Sequence, residues 1–358
     1  MKRRVGILTS GGDCPGLNAA IRGVVHAAYN LFDVEFVGIA DGYKGLIEGN
    51  YKEMRREDFD GILTLGGTIL GTSRQPYRNM RKIEEDNVDK VAAMKQNYRK
   101  MKLDCLVTLG GNGTHKTANL LSEEGLHVIG LPKTIDNDIW GTDVTFGFHT
   151  AVDIATEVVD RIHTTANSHG RIMVIELMGN KAGWLTLYAG VAGGADVVLI
   201  PEIPYSMDAL VQAVEERIRV KKRKFSIIAV AEGAMNLKEA SMKGKERAAF
   251  RASEPYMSVS YRIADQLQQA TGLESRVVVP GHFQRGGSPS PYDRVLATRF
   301  GVQAAKLIKE ERYGMAVAQI GSIVTQNPLS EVAGKTKLVP KDHQMVEFAR
   351  CMGIAFGD

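Results

Sequence analysis

Short apolar runs recur along this chain, and each is followed by a glycine-rich or polar loop and then by a helical stretch. The runs are rich in Val and Ile and mostly do not alternate with polar residues, which is typical of parallel strands covered on both faces. They predict strands at 4–10, 34–40, 104–111, 128–132, 171–178, 197–202, 225–233 and 275–283. Helical patterns lie between them at 16–31, 84–101, 114–125, 148–166, 181–194, 207–223, 255–271 and 290–311. The alternation predicts an α/β protein with two doubly wound, mostly parallel-sheet, Rossmann-like domains and an active site in the cleft between them.

Two serines mark predicted helix starts. Ser206 and Ser290 each precede a helical pattern, and Pro291 occupies the first helical position after Ser290. Both arrangements are favoured at helix N-termini. The tail after Tyr313 is less regular and predicts a hairpin and a final short helix around 341–352.

Length, charge and cysteine content limit the class of protein. A chain of 358 residues corresponds to about two domains. The formal charge of +4 is too small to indicate a nucleic-acid partner. Cys14, Cys105 and Cys351 are far apart and lack metal-binding spacing, which indicates a reducing, cytoplasmic environment. The apolar runs are much too short for a membrane span, so no membrane partner is expected.

Three glycine-rich loops follow predicted strands. The loops at 11–18 and 110–114 each open a helix. Glycine lets the backbone approach an anion, and the free amides at a helix start favour phosphate. The third loop, at 66–74, ends in Arg74, whose planar guanidinium is suited to phosphate. Each loop alone is as consistent with a tight turn, or with a surface arginine, as with an anion site.

Two further loops carry ionisable residues. Lys133, Asp136 and Asp138 directly follow the strand at 128–132. One carboxylate is suited to accept a proton from an attacking hydroxyl and the other to hold Mg²⁺. The alternative is an Asx-rich turn. His282 and Arg285, in the loop at 280–289, are suited to bind a sugar phosphate, although a lone histidine is more often structural.

Taken together, these loops resemble the phosphofructokinase family over about residues 3–325. The matching strings, in the family's order and rough spacing, are TSGGDCPGLNAAIRG, LGGTILGTSR, LGGNGT, LPKTIDND, SHGRI, ELMG, AEG and PGHFQRGGSPSPYDR. The resemblance implies a glycolytic kinase that transfers the γ-phosphoryl group of ATP, with Mg²⁺, to the 1-hydroxyl of fructose 6-phosphate.

The same resemblance implies a role for each site residue. The catalytic set is Lys133, Thr134, Asp136 and Asp138, in which Asp136 is the base for the sugar hydroxyl and Thr134 lies close to the transferring group. The donor-binding set is Gly12, Arg74, Gln75, Gly111, Asn112, Gly113 and Thr114. The set for fructose 6-phosphate is Thr134, Asp136, Arg171, Met178, Gly179, Asn180, Glu232, Arg276, His282 and Arg285. The residues implied for Mg²⁺ are Asn112 and Asp138.

Two positions bear on the phosphoryl donor, which in this family is ATP or pyrophosphate. Pyrophosphate users commonly have an aspartate at the position of Gly113, where its side chain occupies the place of the nucleotide α-phosphate. Gly113 leaves that space open and favours ATP. Lys133 matches the lysine of pyrophosphate users but does not prevent ATP use. ATP is therefore the predicted donor, and pyrophosphate is the alternative.

Two residues depart from the family's pattern. Asn112 stands where the ATP enzymes usually have aspartate, so that metal binding is expected to be weaker or to depend more on the donor phosphates. Asn180 stands where many relatives have an arginine that stabilises charge during transfer, and we expect Lys133 to replace it. These departures leave open a non-catalytic sensor of sugar phosphate or nucleotide, although a sensor has no need of the base Asp136.

The resemblance also implies domain roles and assembly. The expected domains are a donor-binding domain at 1–145 with part of the C-terminal region, a fructose 6-phosphate domain at 146–310, and a segment at 311–358 that returns across both. The expected assembly is a homo-oligomer, a tetramer or at least a dimer, in which Arg171 and Arg276 reach a neighbouring subunit's site. Sedoheptulose 7-phosphate stays open as a second sugar substrate.

Overall fold

The computed structural model describes residues 2–83 and 88–358 of the chain. The chain forms two compact units. Unit 1 comprises Met1–Thr150 and Arg285–Lys337, and unit 2 comprises Ala151–Gln284 and Leu338–Asp358. Each unit is therefore built from two separate stretches of sequence.

The secondary structure alternates between strands and helices, as expected. The strands are β1 (Arg3–Ser10), β2 (Val34–Ile39), β3 (Tyr51–Met54), β4 (Cys105–Gly110), β5 (Val128–Pro132), β6 (Ile172–Leu177), β7 (Val197–Leu199), β8 (Ser226–Ala231), β9 (Ser275–Val278), β10 (Met315–Ile320) and β11 (Ile323–Pro328). The helices are α1 (Leu17–Leu31), α2 (Tyr43–Glu48), α3 (Lys90–Lys100), α4 (Asn112–Glu123), α5 (Phe148–His169), α6 (Trp184–Ala192), α7 (Met207–Glu215), α8 (Leu237–Ser241), α9 (Gly244–Ser253), α10 (Val259–Thr271), α11 (Pro291–Lys309), α12 (Leu329–Val332) and α13 (Gln344–Cys351).

Unit 1 is organised around one mixed sheet. Within the described residues its strand order is β11-β10-β5-β4-β1-β2-β3. The inner strands β10, β5, β4, β1 and β2 are parallel to one another, and the two edge strands, β11 and β3, pair antiparallel with β10 and β2. Val37 packs in the core formed with α2, α3, α4 and α12, whereas the adjacent Phe36 contacts Tyr29 of α1. Because successive side chains of a strand point to opposite faces, helices cover both faces of this sheet, as the apolar runs predict.

Helix α11 belongs to unit 1, although the sequence places it in the second domain. It packs closely on α1 through two glycines. A Cβ atom at Gly23 would lie 2.8 Å from the Thr298 carbonyl oxygen, and one at Gly301 would lie 2.5 Å from the Val24 nitrogen. The boundary expected at 145 lies close to Thr150, where the first stretch of unit 1 ends, whereas the boundary expected at 310 falls inside the second stretch of unit 1, Arg285–Lys337.

Unit 2 contains a smaller sheet with the order β7-β8-β6-β9, in which the neighbouring strands are parallel in the part of the chain that the structure describes. Val174, Val230 and Leu199 pack with Leu210 of α7 and Ile263 of α10 in its core. The C-terminal segment adds to this unit. The Val198 amide donates to the Ala355 carbonyl at 2.9 Å, and the Ser206 amide donates to the Gly357 carbonyl at 2.7 Å.

The predicted helix starts have different outcomes. Ser290 caps α11, since its side chain accepts a hydrogen bond from the Asp293 amide and Pro291 follows at the first position. Ser206 stands at the N-cap of α7, but its side chain makes no capping hydrogen bond. The hairpin of β10 and β11 and the final helix α13 are confirmed. The helix expected at 84–101 is present as α3, and residues 84–87 of that prediction lie outside the described residues.

Candidate active site

Three predicted loops of unit 1 meet at one edge of its sheet. Strands β1, β4 and β5 are neighbours, with Ser10 paired to Gly110 and Gly110 paired to Pro132. Because the strands are parallel, the loops that follow their carboxyl ends lie side by side. This edge is where ligands bind in open α/β sheets.

The loop after β4 leads directly into a helix that has no side-chain cap. Gly111 is the N-cap of α4, and no side chain caps the amides of the first turn. Gly110 is needed because a Cβ atom there would overlap the Thr114 side chain. At Gly113, by contrast, a Cβ atom would meet nothing within 4 Å. The start of α4, next to the β1 loop, is therefore uncapped by a side chain and suited to an anion.

Thr114, predicted to bind the donor, is a packing residue in this structure. It is 5% exposed, and its Oγ1 donates to the Ser10 carbonyl at 3.3 Å. Its own carbonyl accepts from the Tyr43 hydroxyl at 3.0 Å. The side chain thus joins the loops after β1 and β4, which leaves the Thr114 backbone as the part suited to a ligand.

Lys133 connects the loop after β5 to the loop after β1. Its side chain is buried, and the ammonium donates to the Gly12 carbonyl. Burial lowers the pKa of Lys133, whereas the nearby Asp136 opposes that change. The Arg285 guanidinium lies against Gly12, and its Nη1 donates to the Asp13 carbonyl at 3.2 Å. Two cationic side chains therefore converge on the Gly12 loop.

The carboxylates of the next residues are buried in the same loop. Asp136 is 9% exposed, and its amide donates to Thr134 Oγ1 at 3.0 Å. The Thr134 carbonyl accepts from Thr145 Oγ1 at 2.7 Å. Asn137, with a φ of 51°, separates Asp136 from Asp138. Thr134, Asp136 and Asp138 therefore lie together in the loop that begins with Lys133.

Asp138 and Asn112 form a hydrogen-bonded pair. Asn112 Nδ2 donates to Asp138 Oδ2 at 2.8 Å and to the Asp138 carbonyl at 3.2 Å. Burial raises the pKa of Asp138, and the hydrogen bond from Asn112 opposes that rise. Asn112 Oδ1 is buried and has no hydrogen-bond partner among the described residues. The pair therefore presents an amide oxygen and a carboxylate, both of which are oxygen ligands suited to Mg²⁺.

The loop that carries Arg74 is attached to the Gly11 backbone. The Gly11 amide donates to the Ser73 carbonyl at 3.0 Å, and Thr72 Oγ1 donates to the Gly11 carbonyl at 2.7 Å. Arg74 is exposed and Gln75 is half-buried. Both follow a loop anchored to the first glycine loop, so their predicted proximity to it is consistent with the backbone geometry.

Unit 2 brings together a different group of predicted residues. Glu232 Oε1 accepts from the Gly179 amide at 3.2 Å and from the Asn180 amide at 2.8 Å. Gly179 and Asn180 both have positive φ, at 142° and 53°. Glu232 therefore shapes the turn that follows Met178 at the end of β6.

The two arginines predicted to act across a subunit interface share one carboxylate. Arg171 Nε lies 2.6 Å from Glu274 Oε2, and Arg276 pairs with Glu274 Oε1. His282 is exposed in the turn after β9. The structure thus places Arg171, which directly precedes β6, and Arg276 of β9 on the same carboxylate, and Glu274 is a partner that the sequence did not indicate.

The residues of the candidate site lie within a recognised family model. The model described as "Phosphofructokinase" matches residues 4–308. This chain belongs to the phosphofructokinase family.

Relatives within the phosphofructokinase family have different named donors. An "ATP-dependent 6-phosphofructokinase" from Spirochaeta thermophila is 57% identical over 99% of this chain and 98% of its own length. A "Pyrophosphate--fructose 6-phosphate 1-phosphotransferase" from Amycolatopsis methanolica is 45% identical over 95% of this chain and 97% of its own length. Among solved structures, phosphofructokinase from Saccharomyces cerevisiae has a TM-score of 0.79 and 32% identity over 92% of this chain. This chain spans 45% of that yeast chain.

One buried residue of this phosphofructokinase site was missed by the sequence reasoning. Gln284 is fully buried; its Oε1 accepts from the Met178 amide at 3.2 Å, and its Nε2 donates to the Gly281 carbonyl at 3.0 Å. It therefore links the Met178 turn to the turn that carries His282. Its position between His282 and Arg285 in the loop was the available signal, but a neutral amide does not suggest a phosphate ligand.

Neither a cluster of metal-binding side chains nor a membrane-spanning helix is found in the described residues. Across residues 2–83 and 88–358, no group of three or more His, Cys, Asp or Glu side chains is arranged to hold a metal ion. None of the described helices is long and apolar enough to cross a membrane.

Proposed function

We propose that this chain catalyses transfer of the γ-phosphoryl group of ATP to the 1-hydroxyl of fructose 6-phosphate, which gives fructose 1,6-bisphosphate and ADP. The observation that carries the proposal is the placement of Asp136 and Lys133 beside the two glycine loops at the carboxyl edge of the unit 1 sheet. A base, a cation and an anion-binding helix start are the parts that phosphoryl transfer requires. The 57% identity to a relative named as an ATP-dependent 6-phosphofructokinase supports the same conclusion.

Asp136 is the base in this proposal. Its carboxylate accepts the proton of the sugar 1-hydroxyl as the oxygen attacks the γ-phosphorus atom. The hydrogen bond from the Asp136 amide to Thr134 Oγ1 holds the residue in its turn. Thr134 lies close to the transferring group. The Lys133 ammonium, buried and anchored to the Gly12 carbonyl, stabilises the negative charge on the transferring oxygens and compensates for the arginine absent at Asn180.

The residues that would hold Mg²⁺ are Asn112 and Asp138. The unpartnered Asn112 Oδ1 and the adjacent carboxylate suit a hard cation. When bound with the donor phosphates, Mg²⁺ neutralises part of their charge. Because one ligand is neutral, the protein binds the ion chiefly as a complex with the nucleotide.

The donor is ATP because the start of α4 is unobstructed. A Cβ atom placed on Gly113 would have no neighbouring atom within 4 Å, so an α-phosphate can approach the helix amides through that open space. Pyrophosphate is the second candidate. It is favoured by the buried cation Lys133 and by the 45% identical relative named for that donor.

The residues proposed to bind the sugar phosphate are the turn at Met178 and the loop that carries His282 and Arg285. The turn at Met178, Gly179 and Asn180 surrounds the sugar, with Glu232 fixing its backbone. His282 and Arg285 bind the sugar and its phosphate. In this assignment unit 1 is the donor-binding unit and unit 2 is the sugar-binding unit.

Assembly completes the proposed sugar site. Arg171 and Arg276 bind the 6-phosphate of a neighbouring subunit in a homotetramer. Their pairing with Glu274 supports this role because it holds both guanidinium groups at one place on the surface of unit 2. A cytoplasmic location stays a prediction from the cysteine pattern.

The deciding experiment measures fructose 1,6-bisphosphate production with Mg²⁺ and either ATP or pyrophosphate. Asp136→Asn removes the base with little change in shape, and Asp153→Asn makes the same change at an exposed helical position as a control. We expect activity with ATP that is lost in Asp136→Asn and retained in Asp153→Asn. Activity with pyrophosphate alone would assign the second donor. Tight sugar-phosphate binding without turnover with either donor would instead indicate a sensor.

A further inference from the structure

The loop that carries the proposed base contains a left-handed residue. Asn137 stands between Asp136 and Asp138 with a φ of 51°, a conformation that few residues other than glycine adopt readily. Its side chain is used to hold the loop. Asn137 Oδ1 accepts from the Thr145 amide at 3.1 Å, and Nδ2 donates to the Asp143 carbonyl at 3.2 Å. The directions of the two flanking carboxylates therefore depend on how firmly this turn is fixed.

One lysine from a distant part of the sequence is inserted into that loop. Lys337 Nζ lies 3.1 Å from Asn137 Oδ1, 2.8 Å from the Thr142 carbonyl oxygen and 2.8 Å from the Asp143 carbonyl oxygen. An ammonium group carries three donors, and these acceptors come from both ends of the turn. A single cation thus connects the two sides of the loop.

The backbone next to Lys337 also contacts the loop that carries Asp136 and Asp138. The Lys337 amide donates to the Asp138 carbonyl at 2.8 Å, and Thr336 forms an antiparallel bridge with Ile139. The segment that ends unit 1 therefore lies along the residues that directly follow Asp138. Both the side chain and the main chain of Lys337 contact the loop.

We infer that Lys337 is a positioning residue for the catalytic loop, which holds the Asn137 turn and thereby orients the Asp136 carboxylate. The inference rests on the proposed function for its catalytic consequence. Loss of the ammonium leaves two backbone carbonyls and the Asn137 amide oxygen without their charged donor. The turn then relaxes, and the base is displaced from the hydroxyl that it deprotonates.

Lys337→Met tests this role because it keeps the length of the side chain and removes its charge. Lys337→Arg restores a cation with several donors. Lys341→Met changes an exposed lysine further along the same segment and is the matched control. We expect Lys337→Met to lower kcat by roughly 10- to 100-fold, because small displacements of a catalytic group have effects of that size. The KM values for ATP and fructose 6-phosphate should change much less than kcat, since the other residues of both binding sets lie outside this loop.

Tryptophan fluorescence gives a readout that does not depend on activity. Trp140 is two residues from Asp138 and 47% exposed, whereas Trp184, in unit 2, is 6% exposed. Quenching by acrylamide therefore reports mainly on Trp140. We expect Lys337→Met to increase this quenching, Lys337→Arg to return it towards the wild-type value, and Lys341→Met to leave it unchanged.

The outcomes separate positioning from simple structural support. A lower melting temperature with wild-type kcat and wild-type quenching at 25 °C would overturn the inference, as would a rise in both KM values with unchanged kcat. If Lys337→Met does not yield folded protein, Lys337→Gln, which keeps an amide donor, carries the same comparison. If the wild-type chain transfers no phosphoryl group, the proposed function fails. The quenching measurements then still decide whether Lys337 holds the loop.

Discussion

His115 provides a quantitative test of the packing beneath the donor loop. It lies in the first turn of α4 and is 1% exposed. Its Nδ1 lies 3.0 Å from the Gly111 carbonyl oxygen, so this nitrogen carries the proton and donates. Nε2 has no hydrogen-bond partner in the described part of the chain, and this edge of the ring lies against Gly130 and Leu329. Protonation of Nε2 would bury an unpaired N–H and a positive charge.

Burial therefore lowers the pKa of His115 to about 4 from the value of 6.5 in the unfolded chain. Between these values the unfolded chain binds more protons than the folded protein, so the free energy of unfolding rises with pH. The contribution is fully present above pH 6.5 and is lost as the pH falls towards 4. Each tenfold change in proton affinity corresponds to about 1.4 kcal/mol, so His115 contributes about 3 kcal/mol to the free energy of unfolding. About 2 kcal/mol of this contribution is lost between pH 7 and pH 5.

Urea denaturation at pH 7, 6 and 5 measures this effect when wild type is compared with His115→Asn. The asparagine amide is able to keep the hydrogen bond to Gly111 but does not titrate. Its absolute stability is expected to be lower, because the smaller side chain leaves a cavity. The relevant quantity is the difference in pH dependence, in which the other titrating groups cancel. A pH dependence that is the same in both proteins would refute the burial of a neutral imidazole at this position.

Three further substitutions test the candidate site. Gly113→Asp should fold normally, because a Cβ atom there meets nothing within 4 Å. Its carboxylate should repel the phosphates of ATP and lower kcat/KM for ATP by roughly tenfold or more, which rates measured with each donor will show. Asn112→Asp places a second carboxylate against Asp138. The affinity of the nucleotide-free protein for Mn²⁺, measured by calorimetric titration, should rise by roughly tenfold. An unchanged affinity would contradict the assignment of this pair to the metal. Gln284→Leu leaves the Met178 amide unpaired, and an unpaired buried amide costs about 1–3 kcal/mol. The KM for fructose 6-phosphate should therefore rise by roughly tenfold, while the KM for ATP is unchanged.

Much of the strand and helix pattern could be predicted from the sequence because it depends on local periodicity. The continuous apolar runs that became β1, β4 and β8 are buried along most or all of their length, and a run of that kind is the signature of an inner parallel strand. Elements with a weak local signal were missed. β3 has only four residues, of which Lys52 and Glu53 are exposed, and α2 has only six. Their formation depends on pairing with β2 and packing against α3 rather than on their own pattern.

In the candidate site, the positions of the loops could be predicted from the sequence, but the contacts of their side chains could not. The loops after β1, β4 and β5 were predicted to meet because parallel strands place their carboxyl ends at one edge. The partner of each side chain was not predictable from spacing. The contact between Lys133 and the Gly12 carbonyl, and the commitment of the Thr114 hydroxyl to Ser10, arise from three-dimensional packing. The backbone hydrogen bond from the Lys337 amide to the Asp138 carbonyl is likewise a long-range contact that spacing does not reveal.

Because unit 1 is built from two separate stretches of sequence, its sheet cannot be completed until most of the chain has been synthesised. β5 is ready early, but its neighbour β10, which pairs Met315 with Ile129, is translated only after the whole first stretch of unit 2. At roughly 5–20 residues per second, the ribosome takes about 10–40 s to cover that interval. During this time the free edge of β5 and the glycine face of α1 have no partners, and an unpaired strand edge is a template for association with other chains. The first half of the nascent chain is therefore expected to be the stage most exposed to association with other chains, until α11 and β10 have been synthesised.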